Sequence, residues 1–210
     1  MTTDPRRRPA PPRSARSGRA PQRVRIIGGR FKRTPLPVAD LPGLRPTPDR
    51  VRETLFNWLA HLRPDLSALR GLDLFAGTGA LGFELASRGA AAVTLVERAP
   101  AQAAQLRAIR DRLGAAEVEV IAGDALAVAR RLPAGGFDLV FIDPPFDAGL
   151  HQPALAAVLP LLAPRALVYV ESPVPIDAAA AGLVPVRALK AGAVHAQLLA
   201  RPHLPLPADH

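Results

Sequence analysis

Cysteine is absent from the 210-residue chain. Its absence excludes disulfides, zinc–thiolate sites, iron–sulfur clusters and a thiol nucleophile, and it is compatible with a reducing compartment. No run of about 18 apolar residues occurs, so the sequence contains no transmembrane helix. No apolar h-region follows the N-terminal arginines, which argues against a secretory signal. Pro5, Pro9, Pro11 and Pro12 would break the amphipathic helix of a transit peptide. No internal repeat is evident. Acids are scarce where bases are dense. Residues 1–34 hold ten Arg, Lys32 and the single acid Asp4, while the rest holds sixteen basic and seventeen acidic residues. The formal net charge of +9 therefore sits in an N-terminal arm. Such arms commonly meet a polyanion, although an Arg/Ala/Pro-rich composition alone would also produce a charged tail.

What is present suits one domain. Apolar residues make up 49% and charged residues 21%, enough for a sizeable core. Residues 1–22 carry almost no large apolar side chain and are expected to be a disordered Arg/Pro-rich tail. Val24, Ile26 and Ile27 read as a strand, Gly28-Gly29 as a turn and Phe31 to Leu36 as a returning strand, which together form a basic hairpin. Thr47, Pro48 and Asp49 read as an N-cap, a proline at the first helical position and a first-turn acid. Val51, Leu55, Trp58, Leu59 and Leu62 mark the apolar face of the helix that follows. From residue 70 apolar strand-like runs (Leu72–Phe75, Ala92–Val96, Val118–Ile121, Phe137–Ile142, Ala166–Val170) alternate with helix-like runs (Ala80–Arg88, Pro100–Leu113, Asp124–Arg131, Leu150–Leu162). This alternation predicts an α/β fold with a doubly wound, mostly parallel sheet. Val184–Leu189 and Val194–Ala200 predict an antiparallel C-terminal hairpin. The expected divisions are 1–22, 23–62 (hairpin and helix), 63–202 (catalytic domain) and a short tail at 203–210.

Gly77, Gly79 and Gly82 follow the first core strand and fit G-x-G-x-x-G, a loop that lets a ligand approach the backbone closely. Glu97 ends the next strand, as an acid that binds ribose hydroxyls would. A nicotinamide- or flavin-dependent oxidoreductase is thus one reading. Asp73 tilts the balance. A carboxylate four residues before Gly77 repels a pyrophosphate and pairs with a cationic ligand, such as S-adenosylmethionine (SAM). Asp124, at Gly123-Asp124-Ala125, can accept from an adenine amino group or simply cap its helix.

Asp143-Pro144-Pro145-Phe146 follows the strand Phe137–Ile142. Two prolines stiffen the turn and remove two N–H donors, which leaves carbonyls without competing amides. That suits methylation of an exocyclic amine, whose lone pair is delocalised into its ring. The Asp143 carboxylate and the Pro144 carbonyl can accept both amine protons, orient the nitrogen and stabilise the charge it develops. Phe146 offers a face on which a flipped base can stack.

These residues resemble class I SAM-dependent amino-methyltransferases with a Rossmann-like fold. Three blocks narrow this further: Arg25-Ile26-Ile27-Gly28-Gly29-Arg30, Leu44–Leu59 with its Arg-Pro-Thr and Arg-Glu-Thr-Leu-Phe-Asn runs, and Leu72–Gly79. Together, over about residues 23–200, they are similar to the RsmD family, which methylates N2 of guanine 966 in 16S rRNA. The resemblance implies SAM at Asp73, Phe75, Ala76, Gly77, Thr78 and Gly79, with Glu97 on ribose and Asp124 and Ala125 near adenine. It implies Asp143, Pro144, Pro145 and Phe146 around the guanine, and Arg45, Pro46, Thr47 and Arg50 over the site. Related enzymes often carry tyrosine where Phe146 stands. The expected phosphate contacts are Arg23, Arg25, Arg30, Lys32, Arg33, Arg45, Thr47, Arg50 and Arg52, with the hairpin lying at the active-site rim. The implied partner is 16S rRNA, free or in an assembling small subunit, with no metal and no membrane, for a cytoplasmic monomer. An adenine or cytosine amino-methyltransferase and a catalytically idle RNA-binding factor remain the alternatives.

Overall fold

The computed structural model describes residues 24–38 and 48–202. Arg23, Arg45, Pro46 and Thr47, among the expected site residues, lie outside them. In chain order the elements are β1 (Val24–Arg25), β2 (Pro35–Leu36), α1 (Asp49–Leu62), β3 (Arg70–Asp73), α2 (Ala80–Ser87), β4 (Ala92–Glu97), α3 (Pro100–Leu113), β5 (Val118–Ala122), α4 (Ala125–Ala129), β6 (Phe137–Ile142), α5 (His151–Val158), β7 (Leu162–Ser172), β8 (Val184–Ala191) and β9 (Val194–Ala200).

The main sheet has seven strands in the order β5-β4-β3-β6-β7-β9-β8. The five strands from β5 to β7 are parallel, and β9 and β8 close the edge antiparallel. Helices cover both faces. Leu55, Phe56 and Leu59 of α1, Phe83 and Leu85 of α2 and Leu106 of α3 pack on one face with Phe141, Leu167 and Tyr169. Val128 of α4 and Leu155 and Val158 of α5 pack on the other with Leu72, Val140, Ile142 and Val168. Burial on both faces is why the central strands read as unbroken apolar runs. The chain moves outward from β3 to β4 and β5, then returns to β6 on the other side of β3. That reversal opens a crevice at the carboxyl ends of β3 and β6, where ligands of such sheets bind.

Several boundaries differ from those the sequence suggests. Strand β3 ends at Asp73, two residues early, because Leu74 leads into the glycine loop. Pro160 cannot donate to the preceding turn, so α5 stops at Val158, a 3₁₀ turn spans Leu159–Leu161, and β7 begins at Leu162. Helix α4 keeps only Ala125–Ala129. Pro48 occupies the N-cap of α1, with φ −56° and ψ 143°, rather than the first helical position. The N-terminal hairpin exists, but only Val24–Arg25 and Pro35–Leu36 form its ladder. Its intervening residues turn through bonds such as Arg33 N to Ile26 O (2.8 Å) instead of continuing as strands.

The hairpin docks on α2. Ile27 N and Gly28 N donate to the two oxygens of the buried Glu84 carboxylate (2.6 and 2.8 Å), and Phe31 N donates to Ser87 Oγ (2.8 Å). Gly29 adopts φ +72°, and a Cβ there would sit 1.9 Å from the Ser87 carbonyl oxygen. Only glycine fits that approach.

Candidate active site

Five consecutive strands of the parallel sheet carry an acid at or near the carboxyl end: Asp73 on β3, Glu97 on β4, Asp124 after β5, Asp143 after β6 and Glu171 on β7. Asp73 is only 2% exposed. Its Oδ2 accepts from Gly82 N at 3.0 Å. Burial is the chief force on this carboxyl. The Gly82 bond opposes it, the Glu97 charge adds to it, and the result is a pKa pushed up to about 7. A buried carboxylate crowded by other acids is a site that a positive charge relieves.

The glycine loop closes over Asp73. Gly77 and Gly79 take φ +50° and +77°. At Gly79 a Cβ would lie 2.6 Å from the Phe83 ring, so the tight turn requires its glycine. Gly82 makes the close helix–strand approach, since a Cβ there would lie 2.1 Å from a Leu95 methyl. Glu97 holds the loop from the side, accepting from Gly77 N (2.9 Å) and Ala99 N (2.8 Å). Ala76 and Thr78 are buried and Phe75 half-buried beside it. Asp124 is exposed and caps α4 by accepting from Ala127 N at 3.0 Å, with Ala125 buried behind it.

Asp143 begins the turn after β6. Pro144 is buried, Pro145 is exposed, and Phe146 opens a 3₁₀ turn, Phe146–Ala148. The half-buried Phe146 ring lies 6.2 Å from that of His151. His151 Nε2 donates to the Glu171 carbonyl (3.0 Å). Burial, opposed by that bond, lowers the imidazole pKa below its ordinary value.

Four contributors are not legible as such in the sequence: Gln102, His151, Tyr169 and Glu171. Gln102 Nε2 donates to the Gly77 carbonyl at 2.6 Å and pins the glycine loop to α3. The Tyr169 hydroxyl donates to Glu171 Oε1 at 2.9 Å inside the core. Only the run Tyr-Val-Glu-Ser at the end of an apolar strand signals the last pair.

The basic residues divide. Arg52 is 0% exposed. It donates to Arg25 O (3.0 Å) and Asp49 Oδ1 (2.6 Å) and stands 3.8 Å from Glu84. Its expected phosphate contact is therefore corrected to a structural tie, because its charge is engaged inside the protein. Arg50 is exposed on the first turn of α1, and the exposed Arg25 stands 3.9 Å from Asp49. The hairpin tip lies elsewhere. Arg30 pairs with Glu117, which directly precedes β5, and its guanidinium stacks 4.4 Å from the Phe31 ring. Arg30 N donates to Ser87 O at the end of α2. Helix α2 runs from the glycine loop back toward the start of β4, so its end and Glu117 mark the amino ends of the strands. Arg30 and the exposed Lys32 and Arg33 thus sit at the edge opposite the glycine loop, not at the rim expected from the sequence.

A doubly wound sheet with the glycine loop on β3, an acid closing β4 and an antiparallel terminal hairpin defines the class I SAM-dependent methyltransferase fold. Comparison with known proteins narrows this. Residues 24–200 match the family described as conserved hypothetical protein 95. "Ribosomal RNA small subunit methyltransferase D" of Escherichia coli K12 is 45% identical over 153 residues, 72% of this chain and 75% of that protein. Its namesake in Haemophilus influenzae is 43% identical over 155 residues, 71% and 78% of the two chains. Among solved structures, "Putative methyltransferase yhhF from Escherichia coli" superposes with a TM-score of 0.73 at 42% identity, covering 85% of this chain and 98% of that one. The chain belongs to this family, the RsmD family.

Proposed function

We propose that this chain transfers a methyl group from SAM to the exocyclic N2 amine of a guanine in 16S rRNA. The relatives named as small-subunit rRNA methyltransferases support the substrate class. The observation that carries the chemistry is Asp143-Pro144-Pro145-Phe146 at the end of β6, across the crevice from the glycine loop of β3.

The residues present fit the cofactor. Asp73, raised toward neutral pH by burial and by the acids around it, suits a cationic group and not a pyrophosphate, which sets this reading above a nicotinamide enzyme. When bound, SAM supplies an electrophilic methyl on a sulfonium. Asp73 and the loop of residues 75–79 hold its amino acid portion, Glu97 its ribose, and Asp124 and Ala125 flank its adenine. Asp143 and the Pro144 carbonyl accept the two hydrogens of the target amine. They hold its lone pair in line and offset the positive charge that grows on nitrogen. Phe146 takes the flipped base on its ring. A strong base is unnecessary, because the methylated ammonium is acidic enough to pass its proton to Asp143 or water. Arg25 and Arg50 contact phosphates near the first turn of α1, and Arg23, Arg45 and Thr47, outside the described residues, add further RNA contacts. Lys32 and Arg33 reach only RNA that continues over the far edge of the sheet.

Incubation with labelled SAM and 16S rRNA, free or in small subunits, followed by mapping of the modified nucleotide, tests the reading. A labelled guanine N2 is the expected result, and label on adenine or cytosine, or none, refutes it.

A further inference from the structure

Asp143 alone does not read guanine, since adenine and cytosine present similar amine hydrogens. On guanine the methylated amine adjoins N1–H, a donor. An acceptor placed beside Asp143 would therefore distinguish guanine from a base whose ring nitrogen carries a lone pair there.

The register of β6 and β7 brings Glu171 toward that place. Strands β6 and β7 pair in parallel with Phe141 opposite Tyr169 and Ile142 opposite Val170. Carried one residue further, the register sets Asp143 beside Glu171. Side chains alternate across a strand, so Asp143 shares the face of Phe141, and Glu171 that of Tyr169. Those two rings meet edge to face at 6.2 Å, which fixes the shared face. Neighbouring strands lie about 4.8 Å apart, a span over which two carboxylates can each receive one N–H from adjacent positions of one ring. Glu171 is also held rigidly. Its side chain is buried, the Tyr169 hydroxyl donates to Oε1 at 2.9 Å, and its carbonyl receives His151 Nε2 at 3.0 Å. Burial, then the charges of Glu171 and Asp143, holds the Tyr169 phenol well above its ordinary pKa, so it stays a donor.

We infer that Glu171 is a specificity-determining residue, whose carboxylate accepts the guanine N1–H while Asp143 holds the neighbouring N2 amine, with Tyr169 as its positioning residue. The inference rests on the function proposed above.

The test compares RNA carrying guanine at the mapped target with RNA carrying 2-aminopurine there. 2-Aminopurine keeps the 2-amino group but has a lone pair at N1. The wild-type protein should prefer guanine by about 100-fold or more in kcat/KM. Glu171→Gln keeps an oxygen for Tyr169 and turns an N–H toward N1, so the preference should collapse to within a few-fold, a ratio that any common change in SAM affinity leaves untouched. Tyr169→Phe should narrow the preference less. Because each preference is a ratio on one preparation, a partly folded variant does not distort it. Equal use of both bases by the wild type, or proportional loss on both in E171Q, overturns the inference. Methylation of a base other than guanine refutes the proposed function itself, and Glu171 as its guanine reader falls with it.

Discussion

The two edges of the sheet carry opposite charge by different means. At the carboxyl edge, Asp73, Glu97, Asp143 and Glu171 converge, and Asp73 and Glu171 are withdrawn from water. Asp73 and Glu97 act through geometry, each accepting from backbone amides of the glycine loop or the helix behind it. At the amino edge, Lys32 and Arg33 stand exposed on a turn, while Arg30 is engaged by Glu117 and the Phe31 ring. Buried acids in low dielectric interact strongly over short distances, whereas exposed bases are screened and additive. The contrast predicts sharp, specific losses from substitutions at one edge and shallow, salt-dependent ones at the other.

The severest effect should come from Asp143→Ala, which removes the acceptor proposed for the amine hydrogens. Turnover should fall about 100-fold or more with SAM binding nearly intact, measured by single-turnover methylation and calorimetry. Wild-type turnover in the variant would show that the acidic edge does not carry the chemistry. Asp73→Asn should weaken SAM binding by roughly tenfold or more, as expected when about 1.4 kcal/mol of charge pairing is lost. It should also stabilise the cofactor-free protein in a pH-dependent way. The folded pKa of Asp73 is about 7, above the ordinary carboxyl value of 3.8. The proton is therefore bound more tightly in the folded state, and the stability it contributes is full below about pH 4 and lost as pH rises through 7. Chemical denaturation should show N-variant and wild type converging near pH 4 and separating by pH 8. No separation would mean that burial does not strain this acid.

Glu84→Gln tests the joint between the edges. The variant leaves Arg52 beside a neutral amide and weakens the grip on Ile27 N and Gly28 N. Unfolding free energy should drop by about 1–3 kcal/mol, read from urea titration. The smallest effect belongs to Lys32→Ala with Arg33→Ala. RNA affinity should fall only a few-fold at low salt, and the slope of log affinity against log salt should flatten by roughly one to two units, with kcat unchanged. If kcat falls instead, the far edge acts in more than charge.

Much of the fold and the site is legible in the chain because the relevant signals are local. Strand and helix periods follow from burial on one or both faces, and the glycine loop and Asp143–Phe146 turn are contiguous runs. What the sequence hides depends on register. Glu171 matters because β7 lies beside β6 with Tyr169 opposite Phe141, a pairing set across more than two dozen residues. The hairpin's position is hidden because Glu84 reads as a solvent-facing acid in its helix. It is buried, and its two oxygens draw the hairpin amides to the wrong end of the sheet for a rim contact. Arg52 misleads for the same reason, since nothing local tells a guanidinium facing a phosphate from one facing Glu84.

Helix α2 is eight residues long, about 12 Å from end to end. Its first turn supplies the Gly82 amide to Asp73, and its last turn supplies Glu84 and Ser87 to the hairpin. One short rod therefore joins the glycine loop to a distant basic turn, and between Ala80 and Ser87 it contains no proline at which to flex. The two edges, so unlike in charge, share a single mechanical part.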